Sequence, residues 1–172
     1  MEKKDVKKSN RKILVVYYSK TGHTRKIAQD IAKQIDADLE EITDQKKRTG
    51  LLGFILGGRD ALTGKKTKIS EIRKNPAEYG LVILGGPIWA GSITPAVRTY
   101  INQYKDSLPP VASFFSSGGK TPDQVFEKIS NLLPEKLVSI MGLSQEELKD
   151  TQNYHARLSS FLKKIGEFLG KK

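Results

Sequence analysis

The 172-residue chain contains no cysteine. Disulfides, thiolate catalysis and Cys-ligated clusters are therefore excluded, although the missing thiols say little about compartment. Histidine is nearly absent: His23 and His155 are the only two, too few for a His-rich metal centre. No apolar run approaches the roughly 20 residues of a membrane-spanning helix. Residues 1–12 are Lys-rich but hold no apolar signal core. The expectation is a cytoplasmic protein with neither a secretory leader nor an integral membrane segment. Acidic residues are scarce too: 19 Asp and Glu stand against 30 Lys and Arg, a formal net charge of +11. There is one tryptophan, Trp89, and no internal repeat.

What is present fits one soluble domain. The chain is long enough for a sizeable core, and 37% hydrophobic with 28% charged residues is an ordinary balance. Short β-branched runs alternate with segments of helical period. Strands are expected at 13–16, 37–42, 81–84, 111–116 and 136–141; helices at 24–35, 95–104 and 121–133. A last helix carries Tyr154, Leu158, Phe161, Leu162, Ile165 and Leu169 on one face. Such alternation predicts an α/β, doubly wound parallel sheet of five strands between two helical layers. Ser144-Gln145-Glu146-Glu147 reads as a capping box with Leu143 and Leu148 as its staple, and 150–153 separates that turn from the final helix. The division is a basic N-terminal tail at 1–11 and a single domain over 12–172.

Three loops carry the chemistry. Tyr17-Tyr18-Ser19-Lys20-Thr21-Gly22-His23-Thr24 joins the first strand to the first helix. It offers three hydroxyls, one glycine and no carboxylate at a helix N-terminus, where free N–H groups and the dipole favour an anion, most simply a phosphate. The same residues also suit an ordinary capped βα turn. After the third strand comes Gly85-Gly86-Pro87-Ile88-Trp89-Ala90-Gly91-Ser92-Ile93-Thr94-Pro95. Open α/β sheets place ligands at such strand ends. An indole there stacks on a planar ring for about 0.5–1.5 kcal/mol beyond area burial, and small neighbours let backbone approach the ring edge. Trp89 as a core or interface residue is the plainer alternative. Together the two loops imply a ligand with a phosphate at one end and a flat ring at the other.

These residues resemble the flavodoxin-like family. Ser19-Lys20-Thr21-Gly22-His23-Thr24 is similar to its phosphate loop, [ST]-x-T-G-x-T; Pro87-Ile88-Trp89-Ala90-Gly91-Ser92 resembles the loop covering the isoalloxazine ring. Phe114-Phe115-Ser116-Ser117-Gly118-Gly119 resembles the third flavin loop. The resemblance spans about 12–169. It implies strand order 2-1-3-4-5, FMN as cofactor, and electron transfer or NAD(P)H-dependent reduction of quinone-type acceptors. It assigns phosphate to Ser19, Lys20, Thr21, Gly22, His23 and Thr24, and the flavin face to Trp89. The N5 edge falls to backbone near Gly91 and Ser92, and the N1/O2 edge to Ser116, Ser117, Gly118 and Gly119. Lys120 is either a charge on the reduced flavin or a solvent-facing residue. The fifth strand carries no long insertion, which resembles the short-chain branch and argues against flavodoxin-like protoporphyrinogen oxidases.

The chain departs from that pattern in three ways. Residues 116–120 contain no aromatic to cover the second flavin face, which leaves it open or covered by Phe54 or a partner chain. His23 stands where the family often has Asn. Charge is inverted relative to acidic electron carriers: 1–12 hold six basic and two acidic residues, 46–74 nine and two, and the remainder balances. An acidic partner, an anionic surface or a nicotinamide cofactor's phosphates would be attracted, and nucleic acid only non-specifically. The long excursion at 43–79 reads as a short amphipathic helix, with Leu51, Leu52, Ile55 and Leu56 apolar and Gly57-Gly58 near its end. Ala61-Leu62-Thr63-Gly64-Lys65-Lys66-Thr67 lacks the first glycine of a nucleotide P-loop and reads as a basic surface turn. The rival reading is a flavin-free scaffold of the same fold engaging an acidic partner; a homodimer is compatible with either.

Overall fold

The computed structural model describes residues 12–46, 50–120, 123–133 and 137–170, apart from the side chains of residues 50–52 and 54. The basic tail at 1–11 and the expected roles of Leu51, Leu52 and Phe54 lie outside the described residues.

Five parallel strands form the sheet: β1 (Ile13–Tyr17), β2 (Asp38–Glu41), β3 (Leu81–Trp89), β5 (Val111–Ser117) and β6 (Ile140–Ser144). Their order is β2-β1-β3-β5-β6, and a two-residue β4 (Ser92–Ile93) folds back on the end of β3. Counting parallel strands alone, this is the expected 2-1-3-4-5. Alternation along β1 shows how the sheet splits its core. Ile13, Val15 and Tyr17 pack beneath α1 (His23–Ile35) and α6 (Thr151–Gly170). Leu14 and Val16 face the opposite layer, with α3 (Pro95–Tyr104) and α4 (Asp123–Ser130). Side chains of period two on strands and 3.6 on helices thus generate two cores, one on each sheet face. Tyr154 closes the first layer: its hydroxyl donates to Asp30 Oδ2 at 2.6 Å, tying α6 to α1.

Two strands differ from expectation for packing reasons. β6 begins at Ile140 and reaches Ser144, not 136–141. Gly142 interrupts the apolar run in sequence, but a Cβ there would lie 2.3 Å from Phe126 Cζ, so the ring of Phe126 needs the space beside the strand. β3 continues through Gly85, Gly86, Pro87 and Ile88 to Trp89 and is not a loop there. A Cβ on Gly85 would lie 2.0 Å from Phe114 Cζ, and one on Gly86 2.7 Å from Val97 Cγ2.

The excursion holds α2 (Gly50–Leu62), which runs on through Gly57 and Gly58. At Gly58 the helix lies against the β3–β4 hairpin: a Cβ there would be in ordinary contact with Ala90 Cβ, at 3.8 Å. The following turn is stapled to α3 through Thr99 Oγ1, which accepts from the Thr67 amide at 3.0 Å and donates to the Thr67 carbonyl at 2.9 Å. Among the described residues no helix is long and apolar enough to cross a membrane.

Candidate functional site

All three expected loops lie at the C-terminal ends of neighbouring parallel strands, β1, β3 and β5. In the first loop, Ser19 Oγ accepts from the amides of Gly22 and Arg25, each at 3.2 Å. Gly22 is the N-cap of α1, with φ 94, a left-handed value that glycine adopts without penalty. The amides of His23 and Thr24 lie in the first turn, where no intrahelical acceptor exists, and no described group accepts from them. They and the exposed Thr21 hydroxyl form a cradle of donors, the chemistry that suits an anion at a helix N-terminus. Thr24 does something else: its hydroxyl lies 2.8 Å from Ser116 Oγ, and both are buried. That bond locks the first loop to the third.

In the second loop, Trp89 pairs with Ser92 across a two-residue hairpin. Ala90 (φ 47) and Gly91 (φ 70) both take positive φ, the requirement of the mirror-image turn that matches strand twist. An alanine in this region costs about 1–2 kcal/mol, strain of the kind that concentrates at functional sites. Trp89 meets Tyr18 edge to face, with centroids 5.9 Å apart and planes at 80°. Lys20 Nζ lies 5.5 Å from the indole centroid. Lys20 is exposed, and such a contact is worth only about 0.5–1 kcal/mol, so a stacking ring that buries the indole face displaces it. The sequence reading missed Tyr18; an aromatic at the end of β1, beside the phosphate loop, was the available signal.

The third loop leaves β5 at Ser117, followed by the exposed Gly118, Gly119 and Lys120. Ser117 donates to the Gly119 carbonyl and fixes the turn. Phe114 and Phe115 are buried on opposite sheet faces and hold the strand, not a ligand. Gly22, Gly91, Gly118 and Gly119 share one property: a Cβ at each would meet nothing within 4 Å. Every loop therefore presents backbone to open space, as a group held by main-chain contacts requires. Phosphate at one end and a flat ring at the other fit these residues.

Charge near the first loop is partly committed. Arg25 makes a two-point bond to Glu41, 2.6 and 3.2 Å long. Tyr17 donates to the same carboxylate at 3.1 Å; burial, and then Glu41, push its hydroxyl pKa above the ordinary range. Lys20 and His23 are exposed at the cradle itself. Beside the hairpin, a cleft of about 420 Å³ is lined by Ile55, Gly58, Arg59, Leu62, Trp89 and Ala90. Ile55 is 57% and Leu62 66% exposed. Among the described residues no cluster of three or more acids and histidines is placed to hold a metal.

No protein-family model matches the sequence, and no curated protein does. Solved structures match it in fold. A flavoprotein in complex with FMN from Lactobacillus acidophilus NCFM aligns with a TM-score of 0.68 at 23% identity, covering 83% of this chain and 99% of that one. The apo-form of the flavoprotein from the same organism gives 0.60 at 25% identity, over 82% and 96%. Strand order, crossover helices and these likenesses agree that the chain has the flavodoxin-like fold.

Proposed function

We propose that this protein binds FMN across the three loops and acts as a redox protein, reducing a flat quinone-type acceptor at the expense of NAD(P)H. One observation carries the reading. A helix N-terminus with two unbonded amides, a half-buried indole and a glycine turn project from the ends of three adjacent strands, and the buried Thr24–Ser116 bond fixes two of them together.

The flavin, when bound, supplies the redox chemistry. The chain binds and orients it. The amides of His23 and Thr24 and the Thr21 hydroxyl would hold the phosphate, with Lys20 and His23 near it. Trp89, braced edge-on by Tyr18, would cover one ring face. Backbone at Gly91 and Ser92 would face the N5 edge, and Ser117, Gly118 and Gly119 the pyrimidine edge. Ser116, bonded to Thr24, would join the third loop to the first and hold Ser117 to Gly119 in place beside that edge.

The apolar cleft beside Trp89 supports the choice of acceptor. Its walls, Ile55 and Leu62, are large exposed aliphatics, and a volume of about 420 Å³ lies within the roughly 300–1,000 Å³ of small-molecule sites. The basic excursion at 46–74 supports the donor, since its excess positive charge attracts a dinucleotide's phosphates.

The test is anaerobic mixing of FMN-loaded protein with NADH or NADPH, then with a soluble quinone, at several ionic strengths. Flavin reduction that slows as salt screens the basic surface, followed by rapid reoxidation by the quinone, is the expected result. Slow reduction that ignores salt, with no transfer to the quinone, refutes the reductase reading.

A further inference from the structure

Arg98 interrupts a run of buried residues. Around it on α3, Pro95, Ala96, Val97, Thr99, Tyr100 and Ile101 are all buried. Its guanidinium reaches the β3–β4 hairpin, where one terminal nitrogen donates to Ser92 Oγ at 3.1 Å. Its Nε is buried and has no acceptor. Among the described ion pairs, none involves Arg98. Burial alone draws its pKa below the usual arginine value, with no nearby anion pulling the other way. The group nonetheless stays charged at any pH the protein meets. Arg98 as a whole is half-buried; a partly desolvated cation is often matched by a carboxylate, and here its described side-chain partner is a neutral serine hydroxyl.

Arg98 lines a cavity of about 190 Å³ with Lys128 of α4, Gly91, Ser92 and Ile93 of the hairpin, and Val125, Ile129 and Leu132. Two cations meet four aliphatic side chains, and among the described residues no acid lines the space. We propose that this cavity binds a small carboxylate with an apolar body, its carboxylate held by Arg98 and Lys128 and its hydrocarbon by Val125, Ile129 and Leu132. The planar fork of a guanidinium matches a carboxylate's two oxygens. The aliphatic wall favours a hydrocarbon-bearing acid over a bare, strongly hydrated phosphate. The ligand would bridge the hairpin to α3 and α4, behind the turn that presents Trp89. The proposal stands independently of FMN binding.

The experiment uses the full chain, with and without FMN, in calorimetry and thermal melting with three probes: benzoate, neutral benzamide and inorganic phosphate. Benzoate is expected to bind saturably at one site and raise the melting temperature, benzamide to do neither, and phosphate to bind more weakly than benzoate. Arg98→Gln should weaken benzoate about 10- to 100-fold, the cost of losing a hydrogen bond to a charged group. Lys128→Ala, on an exposed position, should weaken it several-fold. Equal binding of benzamide, tighter binding of phosphate, no benzoate binding, or undiminished benzoate binding in both variants overturns the proposal. Quenching of Trp89 by FMN, read on the same samples, keeps a failure of the flavin reading separate from a failure here.

Discussion

Gly85 and Gly86 show how a residue can look functional in sequence and be structural in fact. Small residues before a tryptophan suggest backbone approach to a ligand ring. In the fold they make room for Phe114 and Val97, whose atoms stand 2.0 and 2.7 Å from where a Cβ would be. Gly85→Ala should therefore destabilise the protein by about 1–3 kcal/mol through overpacking. Urea unfolding measures it, and a loss below about 0.5 kcal/mol, the ordinary range for surface changes, would contradict the packing explanation. The hydroxyls of the first loop divide in a comparable way. Ser19 Oγ accepts from two backbone amides, which leaves its O–H to donate, and Thr24 is bonded to Ser116, so Thr21 and Ser19 are the hydroxyls able to donate to a phosphate. Thr21→Ala should weaken FMN by about 1–3 kcal/mol and leave riboflavin, which has no phosphate, unaffected. Equal losses for both ligands in fluorescence titration would place the phosphate elsewhere. Arg98 carried a signal that was overlooked: a lone cation inside an otherwise buried helical stretch has either a partner or a task.

At the scale of elements, the junction of β6, α5 (Gln145–Lys149) and α6 follows local rules. Ser144 Oγ accepts from the Glu147 amide at 3.2 Å, and Glu147 Oε2 accepts from the Ser144 amide at 2.8 Å. Leu143 and Leu148 pack into one core beside this box, and Asp150 caps the start of α6 through the Asn153 amide at 3.1 Å. Ser144→Ala should cost about 1 kcal/mol, typical of a lost cap; an unchanged unfolding midpoint would rule out the box as a stabilising element. Burial opposes ionisation of Glu147, but bonds from Ser144 and the charge of Arg157 outweigh it and hold its pKa below the usual glutamate value. The stabilisation it gives is present above the unfolded-state pKa, about 4.3, and is lost as pH falls through the lower folded-state value. Glu147→Gln should therefore lower stability at pH 7 by about 0.5 kcal/mol, and the gap should close below pH 4. Stability curves that stay parallel into acid would contradict this. The box, the bounds of α3 and the separation of α5 from α6 were legible because each depends on neighbours in sequence. The course of β6 was not, because Gly142 belongs in a strand only once Phe126, on another element, is placed beside it. The continuation of α2 through Gly57-Gly58 was hidden because a glycine pair is a local stop signal for a helix, and the hairpin that packs beside Gly58 lies about 30 residues away.

At the scale of the molecule, alternating strands and helices were enough to specify a parallel sheet covered on both faces, and right-handed crossovers leave few strand orders open. That topology brings the ends of β1, β3 and β5 side by side, so the loops at 19, 89 and 118 share one end of the sheet although they are far apart in the chain. Each loop's chemistry was readable in sequence. The bonds that bind loop to loop, Thr24 to Ser116 and Tyr18 to Trp89, were not, since a pairing of residues 92 positions apart leaves no local pattern. The central claim is that these loops form one FMN site with the lone indole against the flavin. Titration of the apoprotein with FMN, followed by Trp89 fluorescence, tests it most directly. The expected result is saturable quenching with one FMN per chain and a matching shift in the flavin's visible spectrum. FMN that leaves both the indole emission and its own spectrum unchanged would contradict it.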